Sequence, residues 1–158
     1  MTARQPAGQH LAEFNFGTLK HDFDDPRIAD FKDNLDLVNG LAQNSRGFVW
    51  RMLDDDMQDA QHDAAGVFDG NERTASTLSV WEDFESLSNF VWKTIHRKFF
   101  DRRAEWFNAE GNSNFVMWWV DIGHQPTVEE AMDRFNHHKI NGDTDFAFGW
   151  KHLQAGKK

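Results

Sequence analysis

The chain has 158 residues, 39% of them apolar and 27% charged, with a formal net charge of -9. That length fits one domain around one core, and the composition matches neither a disordered chain nor a membrane-spanning one. The acidic balance argues against nucleic acid and anionic membranes as partners, the absence of cysteine excludes disulfides and thiolate chemistry, and Met1 to Gly8 lacks the apolar core of a secretory signal, so a cytoplasmic protein is expected.

His10 to Phe16 reads as a strand, with Ala12, Phe14 and Phe16 alternating against Leu11, Glu13 and Asn15. Asp25 and Pro26 form a helix start, and Ile28, Phe31, Leu35, Val38 and Ala42 make one apolar stripe behind them. Asn44-Ser45-Arg46-Gly47 ends that helix. Phe48 to Leu53 is a second strand, placing Trp50 and Arg51 on opposite faces. Asp54 to Arg73 is an acidic loop. It starts like a calcium loop, but Asp59 stands where such a loop needs glycine and Ala65 where it needs glutamate, so no calcium site is expected.

Thr74 to Trp81 is a third strand, rich in β-branched and small residues. Asp83 caps a helix with Phe84, Leu87, Val91, Ile95 and Phe99 on one stripe, running in one or two pieces to about Ala109. Within it Arg97, Lys98, Arg102 and Arg103 interleave with Asp101 and Glu105, the pattern of a salt-bridged exposed face. Phe115 to Val120 is a fourth strand. His124 belongs to the turn that follows, and Thr127 to Glu130 has the form of a capping box, in which the Glu130 carboxylate reaches back. A helix to about Ile140 and a short strand near Phe146 to Trp150 complete the chain.

This order predicts an α+β fold: a ferredoxin-like βαββαβ with an extra C-terminal helix and strand, as one domain over 1–158. The fourth strand, Phe-Val-Met-Trp-Trp-Val, is apolar on both faces. Ferredoxin-like topology puts its helices on one side, so the other face needs a cover. A second copy packed sheet on sheet, a dimeric α+β barrel, is the expected one; the C-terminal helix folded across that face is the alternative.

The segments GFVWRML (Gly47 to Leu53), TLSVWEDFESLSNFVW (Thr77 to Trp92), IHRKFFDRRAEWF (Ile95 to Phe107), WWVDIGHQPTVEEA (Trp118 to Ala131) and DTDFAFGW (Asp143 to Trp150), with LAEFNFG (Leu11 to Gly17), resemble the family called domain of unknown function 3291. The resemblance implies membership of the dimeric α+β barrels, which include antibiotic-biosynthesis monooxygenases and haem-degrading monooxygenases. The haem-degrading relatives use an Asn on the first strand, a Trp on the helix after the third strand and a His further along it. Asn15, Phe90 and His96 are the corresponding residues here, with Phe in place of Trp and a shorter spacing to the His.

His96 is the residue singled out for chemistry, as a general base near neutral pH or an axial haem ligand among Trp92, Phe99 and Phe100. Asn15 and Arg51, mid-strand in apolar surroundings, are candidates to hold a substrate carbonyl or anion; an internal Arg51–Glu13 ion pair is the alternative. Phe90, Trp92, Phe100, Trp50, Trp81 and Trp119 are candidate walls for a flat ligand, with plain core packing as the alternative. His137 and His138 are adjacent on a helix and point apart, so they do not chelate one ion. The chain carries no phosphate-cradling loop, nucleophile elbow or His-Glu-x-x-His motif.

Three functions follow as expectations. The first is a monooxygenase-like enzyme, without cofactor, acting on a flat apolar or aromatic small molecule between helix and sheet. The second is a haem-binding protein or haem-dependent enzyme with His96 on the iron. The third is a non-catalytic homodimer whose aromatic residues serve packing alone.

Overall fold

A computed structural model describes residues 5–22, 24–53, 56–57, 59, 73–93, 102–106 and 114–154. In chain order these form β1 (Gln9–Thr18), a 3-10 turn (Pro26–Ile28) leading into α1 (Ala29–Gln43), β2 (Phe48–Arg51), β3 (Thr74–Trp81), α2 (Phe84–Lys93), α3 (Arg103–Trp106), β4 (Asn114–Asp121), α4 (Val128–Asn141) and α5 (Trp150–Gln154). The strands make one sheet in the order β2-β3-β1-β4, and all neighbours are antiparallel. The two strands joined through α1 therefore run parallel with β3 between them. The two joined through α2 run parallel with β1 between them. No helix of the described residues is long and apolar enough to cross a membrane.

Alternation along the strands sorts the core into two faces. On one, Leu11, Trp81, Met117 and Phe148 pack with Val38 and Ala42 of α1, Leu87, Phe90 and Val91 of α2 and Leu153 of α5. On the other, Ala12, Phe14, Leu78, Val80, Val116 and Trp118 pack with Val128, Ala131, Met132 and Phe135 of α4. Phe135 meets Phe16 edge-on at 4.9 Å between centroids. The second face, which in the sequence calls for another copy of the chain, is thus covered within the chain by α4. Burial alone demands no partner there. A smaller cluster of Leu19, Ile28, Phe31, Ala75 and Trp106 closes one end of the sheet.

Two local expectations change. Of the segment Phe146 to Trp150, only Phe148 pairs with the sheet, through two bonds of 2.8 and 2.9 Å to Met117 on the free edge of β4. A longer strand does not form because neighbouring backbone groups are engaged locally. The Thr144 amide donates to Ala147 O, and the Gly149 amide donates to Asp143 Oδ1 at 3.0 Å. Trp150 then begins α5. At the start of α4, Thr127 Oγ1 does accept from the Glu130 amide at 3.1 Å. The Glu130 carboxylate, however, does not turn back to the cap. It accepts the indole N–H of Trp118 at 2.9 Å and meets His124 Nε2 at 2.7 Å. Trp118 is fully buried, and its N–H needs an acceptor more than the exposed helix end does.

Other expectations hold. Asp25 accepts from the Arg27 amide and Asp83 from the Ser86 amide, both at 2.8 Å, as helix caps. Arg102 pairs with Glu105 and with Asp30 of α1, which bears out that part of the salt-bridged face; Arg97, Lys98 and Asp101 lie outside the described residues. Such exposed pairs contribute little stability, because water and salt screen them. Most of the acidic loop 54–73 lies outside the described residues.

Gly47 joins α1 to β2 with φ +84°, and its carbonyl accepts the Glu82 amide at 2.7 Å. A Cβ there would overlap the Ser86 side chain, so the turn docks on the first turn of α2 only as glycine. Gly47→Ala is expected to lower the free energy of unfolding by more than about 1 kcal/mol, measured by urea denaturation, whereas alanine at Gly40, inside α1 with open space around it, should be neutral or stabilising.

Candidate functional site

On the face covered by α1 and α2, the register aligns side chains into rows across the sheet. Glu13 of β1 stands between Ser79 of β3 and Met117 of β4, and Arg51 of β2 lies beyond Ser79. Leu11 stands between Trp81 and Trp119 in the row to one side. Asn15 stands between Thr77 and Phe115 in the row to the other.

Glu13 is only 5% exposed. Its Oε1 accepts from Ser79 Oγ at 2.7 Å and Thr77 Oγ1 at 3.1 Å, and its Oε2 accepts from Asn15 Nδ2 at 3.3 Å. All three donors are neutral. Among the described residues no cation bonds to this carboxyl. Loss of hydration therefore dominates, and burial pushes the carboxyl from the ordinary 4.5 up to about 7, with the bonds from Ser79, Thr77 and Asn15 acting in the opposite sense. A carboxyl that exchanges its proton near neutrality, in a dry setting, has the properties of a general acid or base.

An aromatic group stands beside it. Trp81 is buried, stacks on Phe90 of α2 at 5.2 Å and meets Phe48 edge-on at 5.4 Å. Its indole N–H donates to Ser79 Oγ at 3.0 Å, which ties this group to Glu13. A second aromatic group gathers around Trp150 of α5. Phe115 lies parallel to Trp150 at 5.1 Å, with Trp92 at 5.9 Å and Phe84 at 5.6 Å. Trp119 packs on Phe148 at 5.5 Å.

Of the residues singled out in the sequence, Asn15, Arg51, Trp81, Trp119, Phe90 and Trp92 share this face. Asn15 bonds to Glu13. Arg51 does not pair with Glu13: its Nε donates to Gln43 Oε1 at 2.6 Å and its Nη1 to the Met52 carbonyl at 3.3 Å. Trp50 is on the opposite face, packed against the α4 cluster, and so is separated from the others by the sheet. His96 and Phe100 lie outside the described residues. Among the described residues, no three His, Cys, Asp or Glu side chains are grouped to hold a metal ion.

Glu13, Ser79 and Thr77 were not apparent as a site. In the sequence Glu13 enters only as a partner for Arg51, and Ser79 and Thr77 only among the small and β-branched residues of a strand. The signal that finds them is the pairing of β1 with β3, which sets three polar residues around one carboxyl.

The model of the family described as Domain of unknown function (DUF3291) matches residues 10–158. No curated protein matches the chain. Among solved structures, the crystal structure of NE2512, a protein of unknown function from Nitrosomonas europaea, is similar at 13% identity and a TM-score of 0.46, covering 77% of this chain and 97% of that one.

The raised Glu13 carboxyl has a consequence for stability. The native state keeps this proton over a pH range in which an unfolded glutamate has lost it. The stability it confers is full below about 4.5 and is lost as pH rises through about 7. The shift from 4.5 to about 7 corresponds to roughly 3 kcal/mol. Glu13→Gln, neutral at every pH, should therefore be more stable than the wild type at about pH 8 by up to about 3 kcal/mol, with the difference vanishing at about pH 4. Urea denaturation at the two pH values checks this.

Proposed function

We propose that this chain, which belongs to the Domain of unknown function (DUF3291) family, is a monooxygenase-like small-molecule enzyme that uses Glu13 as its general base. The observation that carries the reading is a buried carboxyl whose partners among the described residues are all neutral, beside the stacked Trp81 and Phe90. The base proposed here is Glu13 on the sheet, in place of the His96 expected from the sequence, which lies outside the described residues. The substrate class is unchanged: a flat apolar or aromatic compound, here with an acidic methylene next to a carbonyl. Approach is from the side of Asn15 and Thr77, which are half-buried where Glu13 is closed off.

In this proposal Glu13 removes a proton from the methylene. The resulting carbanion, delocalised into the substrate's carbonyl and rings, supplies electrons to dioxygen and forms a carbon–oxygen bond. Glu13 returns its proton to the distal oxygen, giving a hydroperoxide. Loss of water, with cleavage of the O–O bond, leaves a new carbonyl. Overall, one methylene and one O2 become one carbonyl and one water. Asn15 would hold the enolate oxygen: its amide is the donor to Oε2 among the described residues and can turn toward a ligand.

The strand order and the antiparallel pairing support the finer assignment of the fold as ferredoxin-like. A homodimer gains no support from the second face, which α4 buries.

Oxygen uptake with a panel of polycyclic ketones bearing acidic methylenes tests the reading. The expected result is uptake equal to ketone formed, a rate that rises with pH through about 7, and a loss of about 100-fold or more in Glu13→Gln while tryptophan fluorescence still reports binding. Wild-type rates in Glu13→Gln would overturn the assignment of the base. Binding without oxygen uptake would leave a ligand-binding protein.

A further inference from the structure

Resting on the acid–base reading of Glu13, we propose that Trp81 acts through Ser79 as a positioning residue, committing the exchangeable proton of Glu13 to Oε2, the oxygen beside Asn15.

The indole N–H is a donor only. It points at Ser79 Oγ at 3.0 Å, and so occupies an acceptor position of that hydroxyl. Ser79 has a single proton, and its other close partner is Glu13 Oε1 at 2.7 Å. The proton of Ser79 therefore points at Oε1. Thr77 Oγ1 approaches the same oxygen at 3.1 Å. Among the described residues Oε1 thus receives two hydroxyl bonds, while Oε2 has one long contact of 3.3 Å from Asn15. The oxygen with more donated bonds is the weaker base, so the proton settles on Oε2. When it does, the Asn15 amide turns to offer its oxygen as the acceptor, which a side-chain amide can do at little cost.

The consequence is directional. An acid or base with two equivalent oxygens exchanges protons from either. Here one oxygen is anchored toward Trp81 and the other faces Asn15, on the more open side of the site. Of the charged groups on the described elements packed on this face, Arg51 is engaged by Gln43 and Met52, and His152 of α5 stacks on Phe148 at 5.0 Å. The acidic residues of α1 and Glu85 of α2 are exposed.

The test is the titration of Glu13 in the full chain, followed by NMR of 13C-labelled glutamate carboxyls. Glu13→Gln assigns the resonance. Ser79→Ala removes a donor from the carboxylate and should raise the titration midpoint by about half to one pH unit. Trp81→Phe keeps an aromatic ring against Phe90 but frees Ser79 to accept from a protonated Oε1. It too should raise the midpoint, by about 0.3 to 1 pH unit. The double variant should titrate like Ser79→Ala alone, because Trp81 acts only through the hydroxyl. An unchanged midpoint in Trp81→Phe, or an effect that adds in full to Ser79→Ala, would overturn the relay.

Should Trp81→Phe fail to fold, infrared spectra of the wild type and Ser79→Ala decide. The C=O stretch of protonated Glu13 should sit low in the wild type, where Oε1 is the doubly bonded carbonyl, and rise in Ser79→Ala; equal frequencies overturn the relay. A wild-type midpoint in the ordinary carboxylate range would remove Glu13 as a base at neutral pH. The relay would still stand or fall on the differences between variants.

Discussion

The hydrogen bond between Ser79 and Glu13 joins the two central strands at the middle of the sheet, and the rest of that face is arranged around it. A carboxyl with almost no water contact requires donors, and a sheet supplies side-chain donors only from neighbours in register. Glu13 takes them from Ser79 directly opposite, from Thr77 one row along and from Asn15 on its own strand. Sliding β1 against β3 by one residue would send Glu13 to the α4 face, among Leu78, Val80 and Trp118, with no donor of this kind. The same carboxyl that is proposed as the base therefore also opposes a register error.

The arrangement is costly at neutral pH, because three neutral donors do not match the hydration that Glu13 loses. The aromatic and aliphatic layers on both faces compensate. Burying one large apolar side chain contributes about 1.5–3 kcal/mol, and Trp81, Trp106, Trp118, Phe14 and Phe148 are all nearly or fully buried. One uncompensated carboxyl is tolerable against such a core. It is also the kind of local inconsistency expected where function rather than stability chose the residue.

The sequence revealed the elements more readily than their contacts. β3 is found as Thr74–Trp81, and β1 and β4 are found within two residues at each end, because their alternation is strong. The helix starts at Asp25, Asp83 and Thr127 are legible because a cap acts locally. What fails is what depends on competition between local and distant partners. The segment at Phe148 has the apolar content of a strand, but Asp143 and Ala147 take the amides of Gly149 and Thr144. Glu130 has the spacing of a capping box, but the buried indole of Trp118 claims its carboxylate. Glu13 has Arg51 as its expected partner until the pairing of β1 with β3 puts Ser79 and Thr77 beside it. Among the candidate site residues, Asn15 is the one that bonds to the carboxyl at the centre, while Trp50 falls on the other side because a strand's side chains alternate.

Two buried tryptophans, one on each face, pose the same problem and receive different solutions. Trp118 donates directly to Glu130, a carboxylate near the surface with His124 as its second partner. There the charge stays partly hydrated, and the network needs nothing further. Trp81 donates instead to a hydroxyl, and the hydroxyl passes its own proton on to a carboxyl shut away from water. Had the α1–α2 face required only an acceptor for the Trp81 indole, Ser79 would suffice, and position 13 could be apolar like Leu11 beside it. The indole does not explain Glu13. A buried carboxyl at that position, without a cationic partner among the described residues, is more than packing needs, and that surplus is what the proposed function rests on.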